Sequence, residues 1–546
     1  MAMSTAGLQT ALRWRRIGPA AGLLAVIALT LAGMAIFGRG MAGDAVVHLV
    51  IAERMSEGQW FDYNGLGEHV SASTSPLWTL ILTAAVWVSP DRSPWFLKVL
   101  ACMVWIAQAV LAYQVVFPRM GIRPVPRLAG TIWWITCPPV VINSLSGMEN
   151  AAVALGVLLL LVVVYEYITG RMRTVPFAIA FGFIALGLVA TRPEAAAWPV
   201  AAGVALLVLG VPAEKPRRTT LLAVSVAALI TLAGLIPWLA WQYHFTGTLV
   251  TDSSRARLVL GQQTASVHLA GFAVHTKAAL YVGGFLLPAA VGTAVVLSGA
   301  VRRRLRNPED ILVSASAVAI VVTILFYTVV TGAQHVGRYT LPLVPFIFAL
   351  GAEGLWRVGQ HLRCSSRSAM VGMLPLLFGT LWFVVAGISE VDRRGTVVGY
   401  GLSAVVDAPS RRIAYTDALL ESLGLEARTD PARIAVTEVQ LRWFTDDRVE
   451  VLSLDGRSSP QVLDFLGKDK CPDFEAFFQA VRPDAVQLGQ WGKCGSRNLV
   501  AQWEAAFAGK PAGTKIDWED AVITAVGGEG YVRIHWADAV PAGRGE

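Results

Sequence analysis

Asp44 stands in the stretch GDAVVHLVIAER, just after a basic and then apolar N-terminus. A carboxylate at the edge of a membrane is costly unless it is solvated, paired or used. Polar residues gather at a few other places beside the apolar runs: SGMEN (146–150), TRPE (191–194), the loop at 242–257 and QHVGRY (334–339). The set offers one base, Asp44, and five cations, Arg192, Arg255, Arg257, His335 and Arg338. A carboxylate can take the proton from an acceptor hydroxyl. Cations can stabilise a phosphate as charge develops on it. Glycosyl transfer from a lipid phosphate needs those two things, and one base with a few cations suffices.

Each residue also has a structural reading. Asp44 can cap the helix that follows Gly43, and His48, four residues on, can be a local pair on the same face. Glu149 can complement a helix dipole, and Glu194 after Pro193 can belong to a capped first turn. Arg338 beside Tyr339 can anchor at an interface, while Arg255 and Arg257 can bind lipid phosphates. What favours chemistry is their joint placement on one face.

That placement comes from the elements between them. The chain has 546 residues, 55% apolar and 15% charged, with a mean hydropathy of +0.55. Apolar runs fall at 18–37, 74–89, 95–117, 128–145, 149–169, 175–191, 195–213, 220–243, 279–300, 310–331, 339–356 and 367–387. Runs of this length mark a polytopic α-helical membrane protein. The net charge of +7 lies in short loops, so it reads as topology rather than as a nucleic-acid footprint. The basic loops at 13–16, 118–127, 170–173, 214–218, 302–306 and 357–367 are expected inside. Every polar cluster above then faces outside. The run at 74–89, opened by Pro76, is read as dipping into the membrane or lying along it, which leaves about 11 spans. The first apolar run is read as an uncleaved span.

From about 389 the composition changes. Strand-like runs RIAVTEV, VEVLSL, DAVQLG and YVRIHWA alternate with helical stretches such as RIAYTDALLESLG. The expected organisation is a membrane domain at 1–388, with a first external loop at 39–73, and an extracytoplasmic soluble α/β domain at 389–546. Cys471 and Cys494 are disulfide candidates there. No Walker motif, G-x-G-x-x-G, H-E-x-x-H or paired C-x-x-C appears. No cofactor is indicated, and a divalent metal is left open.

The pattern resembles membrane glycosyltransferases of the GT-C type, which carry an essential acidic residue in the first external loop. More closely it resembles the terminal β-(1→2)-arabinofuranosyltransferase family of mycobacteria and corynebacteria, whose relatives often bear the label flagellar motor control protein. The residues that carry the resemblance are Asp44, Asn64, Gly67, Glu68, Val70 and Thr74–Ser75–Pro76–Leu77–Trp78. SGMEN, TRPE, YHFTGT (243–248) and Gly337–Arg338–Tyr339 follow in the same order. Where the family has an acidic pair, this chain has Gly43 and Asp44.

The resemblance implies an inverting glycosyltransferase in a bacterial inner membrane, with decaprenyl-phosphoryl arabinofuranose as donor and a surface glycan or protein as acceptor. Asp44 would be the base, and Arg192, Arg255, Arg257, His335 and Arg338 would hold the donor phosphate. His48, Asn64, Glu68, Glu149, Glu194 and Tyr339 would position sugar or acceptor. A transporter or flippase for a polyprenyl-linked substrate is the alternative, as is a non-enzymatic scaffold of the envelope or flagellar motor. Membrane lipid is an expected partner and nucleic acid is not.

Overall fold

The computed structural model describes residues 5–38, 40–64, 66–67, 69–89, 93–209, 216–252, 254–255, 286–302, 307–325, 341–361, 385, 400–436, 441–454, 459, 461, 474–488, 515–523 and 530–535. Among them, four helices are long and apolar enough to cross a membrane: Ser93–Arg119, Asn150–Ile168, Thr174–Thr191 and Arg217–Thr246. Shorter apolar helices include Ala20–Ile36 and Pro76–Val88. The chain is a multi-pass membrane protein.

In chain order the first elements are α1 (Thr5–Phe37), β1 (Gly40–Met41), α2 (Gly43–Ser56), α3 (Pro76–Val88) and α4 (Ser93–Leu111). The 13 residues of α3 rise about 20 Å at about 1.5 Å each, short of a hydrocarbon core of about 30 Å. That length fits a segment that dips or lies along the membrane. The run at 128–145 differs from expectation. It is broken into α5 (Pro124–Ile135) and α6 (Pro138–Leu145), because two consecutive prolines after Cys137 cannot continue a helix but can start one.

Next come α7 (Asn150–Ile168), α8 (Thr174–Thr191), α9 (Ala197–Leu209) and α10 (Arg217–Thr246). Leu221, Leu222, Leu229, Leu232 and Ile236 of α10 are all exposed. In a helix this apolar, that face suits lipid rather than water. The bundle core joins Trp105, Tyr113, Trp133, Trp134, Leu158 and Phe346. Later helices are α11 (Leu286–Arg302), α12 (Pro308–Leu325) and α13 (Val344–His361).

In the C-terminal region β2 (Tyr400–Gly401) pairs antiparallel with β1, and α14 (Leu402–Ser422) follows. A five-stranded sheet has the order β4-β3-β5-β7-β6. Its strands are β3 (Ala432–Val436), β4 (Val449–Ser453), β5 (Ala485–Leu488), β6 (Lys515–Ile523) and β7 (Gly530–His535). β3 pairs parallel with β4 and β5, whereas β7 pairs antiparallel with β5 and β6. All four strand-like runs of the sequence form strands, and β6 is a fifth that its charged pattern concealed. Cys471 and Cys494 lie outside the described residues.

Candidate active site

Helix α2 carries Asp44. Ala42, with extended backbone (φ −69°, ψ 145°), is the N-cap, Gly43 the first helical residue and Asp44 the second. Asp44 is therefore not the cap. Its carboxylate complements the helix dipole from the first turn, and it is half-buried. The apolar side of α2 packs Ala45, Val46, Leu49 and Val50 against Trp78, Leu82, Leu97, Met148 and Trp443. That core fixes the rotation of the helix, and His48, one turn after Asp44, shares its face.

His48 is 5% exposed and opens a buried chain of polar groups. Its Nε2 lies 3.5 Å from Glu149 Oε2. Its Nδ1 lies 3.3 Å from the Ser73 hydroxyl, which in turn sits 2.8 Å from Thr79 Oγ1. The Ser75 amide donates to Ser73 Oγ at 3.1 Å. Ser75 is the N-cap of α3 and Pro76 follows it, so the Thr-Ser-Pro-Leu-Trp motif builds the turn that presents Ser73 and Thr79.

Glu149 precedes α7 as its N-cap, after the Gly147 turn (φ +84°). Arg192 ends α8 with an extended backbone, and a 3-10 turn at Pro193–Ala196 follows. The guanidinium places Nη1 3.0 Å from Glu149 Oε1 and donates to Asn150 Oδ1 at 2.5 Å. Its Nε donates to Glu194 Oε1 at 2.6 Å. Burial pushes the Glu149 carboxyl up, but Arg192 and the contacts from His48 hold it down to about 2. His48, Glu149, Arg192 and Glu194 thus form one continuous network that reaches the helix of Asp44.

Two of the expected site residues have partners within the protein. Arg192, expected at the donor phosphate, has its guanidinium between the Glu149 and Glu194 carboxylates, as a buried charge needs a partner. Asn64 was assigned to sugar or acceptor, yet it faces the edge strand β4. Its Nδ2 donates to the Val451 carbonyl at 3.3 Å, and its Oδ1 accepts from the Val451 amide at 3.1 Å. Asn64 thereby satisfies an unpaired strand edge. Arg54 donates to the Asn64 carbonyl, and Arg412 grips Glu53 with two hydrogen bonds of 2.8 Å. The first loop is thus fastened to the C-terminal region at several points.

Arg255 is exposed. Glu68, Arg257, His335, Arg338 and Tyr339 lie outside the described residues. The sequence reading missed Asp252, which is 5% exposed and accepts the Ser71 amide at 2.8 Å. Burial raises its carboxyl above the ordinary range, opposed by Ser71 and Arg255. It also missed Ser73 and Thr79, for which no charge gave a signal. Among the described residues no group of three or more His, Cys, Asp or Glu converges on a metal position.

No protein-family model matches the chain. In structure the chain is similar to ArnT from Cupriavidus metallidurans bound to undecaprenyl phosphate. The TM-score is 0.55 at 12% identity, over 93% of this chain and 97% of that one. It is also similar to the Archaeoglobus fulgidus oligosaccharyltransferase, with a TM-score of 0.52 at 11% identity, over 85% of this chain and 68% of that one. Both are GT-C glycosyltransferases, and the fold is theirs.

In sequence the chain is 28% identical over 272 residues to the terminal β-(1→2)-arabinofuranosyltransferase of Mycobacterium tuberculosis. The matched stretch is 48% of this chain and 40% of that relative.

Proposed function

We propose that the chain is an inverting GT-C glycosyltransferase of the bacterial inner membrane. It moves a sugar, arabinofuranose by the sequence similarity, from a polyprenyl phosphate to a glycan or protein acceptor on the extracytoplasmic side. The observation that carries this reading is the buried His48–Glu149–Arg192 chain, running to the helix of Asp44 in a fold shared with an undecaprenyl-phosphate-bound transferase.

Asp44 takes the proton from the acceptor hydroxyl as that oxygen attacks the anomeric carbon. The bond from that carbon to the phosphate oxygen breaks, and the electron pair leaves with the polyprenyl phosphate. Arg255, Arg257, His335 and Arg338 offset the charge on the leaving phosphate. Arg192, Glu149 and Glu194 brace the floor, and His48 and Glu68 with Tyr339 position the sugar. The C-terminal α/β domain at 389–546 contributes to acceptor binding. A polar cleft between Leu66 of the first loop and Arg428, Arg433, Arg482, Asp430 and Asp484 supports that role.

The test is to incubate purified protein with a panel of polyprenyl-phosphate sugars and a panel of acceptors. Release of polyprenyl phosphate with product formation supports the reading. Intact donors throughout the panel, with transport of the same lipids in proteoliposomes, contradict it.

A further inference from the structure

Lys98 belongs to no motif in the sequence, yet it is 5% exposed at the start of α4. Its Nζ donates to the Gly40 carbonyl at 2.7 Å and makes a second, close hydrogen bond to the Leu145 carbonyl. Gly40 stands four residues before Asp44, and Leu145 stands four before Glu149. One ammonium therefore ties together the two segments that deliver the candidate base and the central carboxylate of the network.

Other contacts place the same segments side by side. The Ala42 amide donates to the Ser146 carbonyl at 2.9 Å. A Cβ on Gly147 would meet the Ala45 Cβ and Leu97 Cδ2 at 3.2 Å each, and its φ of +84° disfavours a side chain there. Leu145 is also the last residue of α6, whose carbonyl end favours a cation. Burying a lysine is costly unless its donors are met. Here two of the three are met by backbone, one on each side of the junction.

We propose that Lys98 is a positioning residue, setting the placement of Asp44 relative to the Glu149–Arg192 pair by bridging Gly40 and Leu145. The activity half of the test rests on the reading given under Proposed function; the exchange half does not.

The experiment uses the full chain in lipid nanodiscs, with Lys98→Met and Lys98→Gln. The Gln amide is one bond shorter than the lysine and reaches one carbonyl at best. Hydrogen–deuterium exchange is expected to quicken at 40–48 and 145–150 in both variants, more in Met than in Gln, with the rest of the bundle unchanged. With a turned-over donor, kcat is expected to fall on the order of 10²-fold in Lys98→Met, the scale of a small misplacement. Donor KM should stay within about twofold, since uniform binding is untouched. Lys98→Gln should lie between. Wild-type exchange in both segments in either folded variant overturns the proposal, whether or not transfer is detected. Wild-type kcat in a variant whose exchange has quickened overturns it as well.

Discussion

Arg192 Nη1 lies 3.0 Å from Glu149 Oε1, and the two side chains are only 7% and 2% exposed. The pair links the end of α8 to the start of α7. His48 then extends it to α2, the helix of Asp44.

Breaking this pair should be expensive. Glu149→Ala takes one of two carboxylates from a buried guanidinium, and removal of one member of a buried pair costs about 3–5 kcal/mol. Glu149→Gln keeps an oxygen for Arg192 and should cost less. Thermal unfolding in detergent should rank wild type above Gln and Gln above Ala.

The pH dependence separates Glu149 from the base. With its folded-state value held down to about 2, Glu149 contributes stability that is present above the ordinary carboxylate range and lost as pH falls towards 2. An acidic limb in kcat/KM at higher pH therefore does not belong to Glu149. The limb should persist in Glu149→Gln, as kcat/KM profiles of the two proteins would show.

Asn64 offers a separate lever, because both of its side-chain polar atoms pair with Val451. Asn64→Ala leaves the Val451 amide unpaired at the sheet edge, at about 1–3 kcal/mol if buried, while the Val451 carbonyl keeps the Ser459 hydroxyl. Amide exchange should quicken at 60–64 and 449–453 while the α7 and α8 helices stay protected.

Asp252 ties the 242–255 segment to the first loop through the Ser71 amide. Asp252→Asn retains an acceptor and should leave the tether in place. Asp252→Ala removes it and should cost about 1–3 kcal/mol. Faster exchange of the Ser71 amide in Ala, and not in Asn, is the expected reading.

The sequence made the membrane helices legible because long apolar runs have few other uses. The polar clusters were legible because charge beside such runs is rare, and Glu149, Arg192, Glu194 and His48 do meet. What sequence could not show was the partner of each group. Glu149 lies 43 positions from Arg192, so nothing local in the sequence says which arginine it braces. Asn64 looked like a substrate contact because nothing in its neighbourhood announces a strand edge at Val451. Lys98 was silent because its acceptors are backbone carbonyls, which every residue has. The Asp44 assignment draws on the motif order as well as on its position in the first turn of α2.

The central claim is that Asp44 is the base. Asp44→Asn keeps the size and one acceptor oxygen while removing the basicity of the carboxylate. In purified, folded protein supplied with a donor and acceptor that wild type turns over, kcat should fall by about 10²–10⁴-fold, the usual weight of a general base, with donor binding retained. Transfer at the wild-type rate by Asp44→Asn would contradict the account.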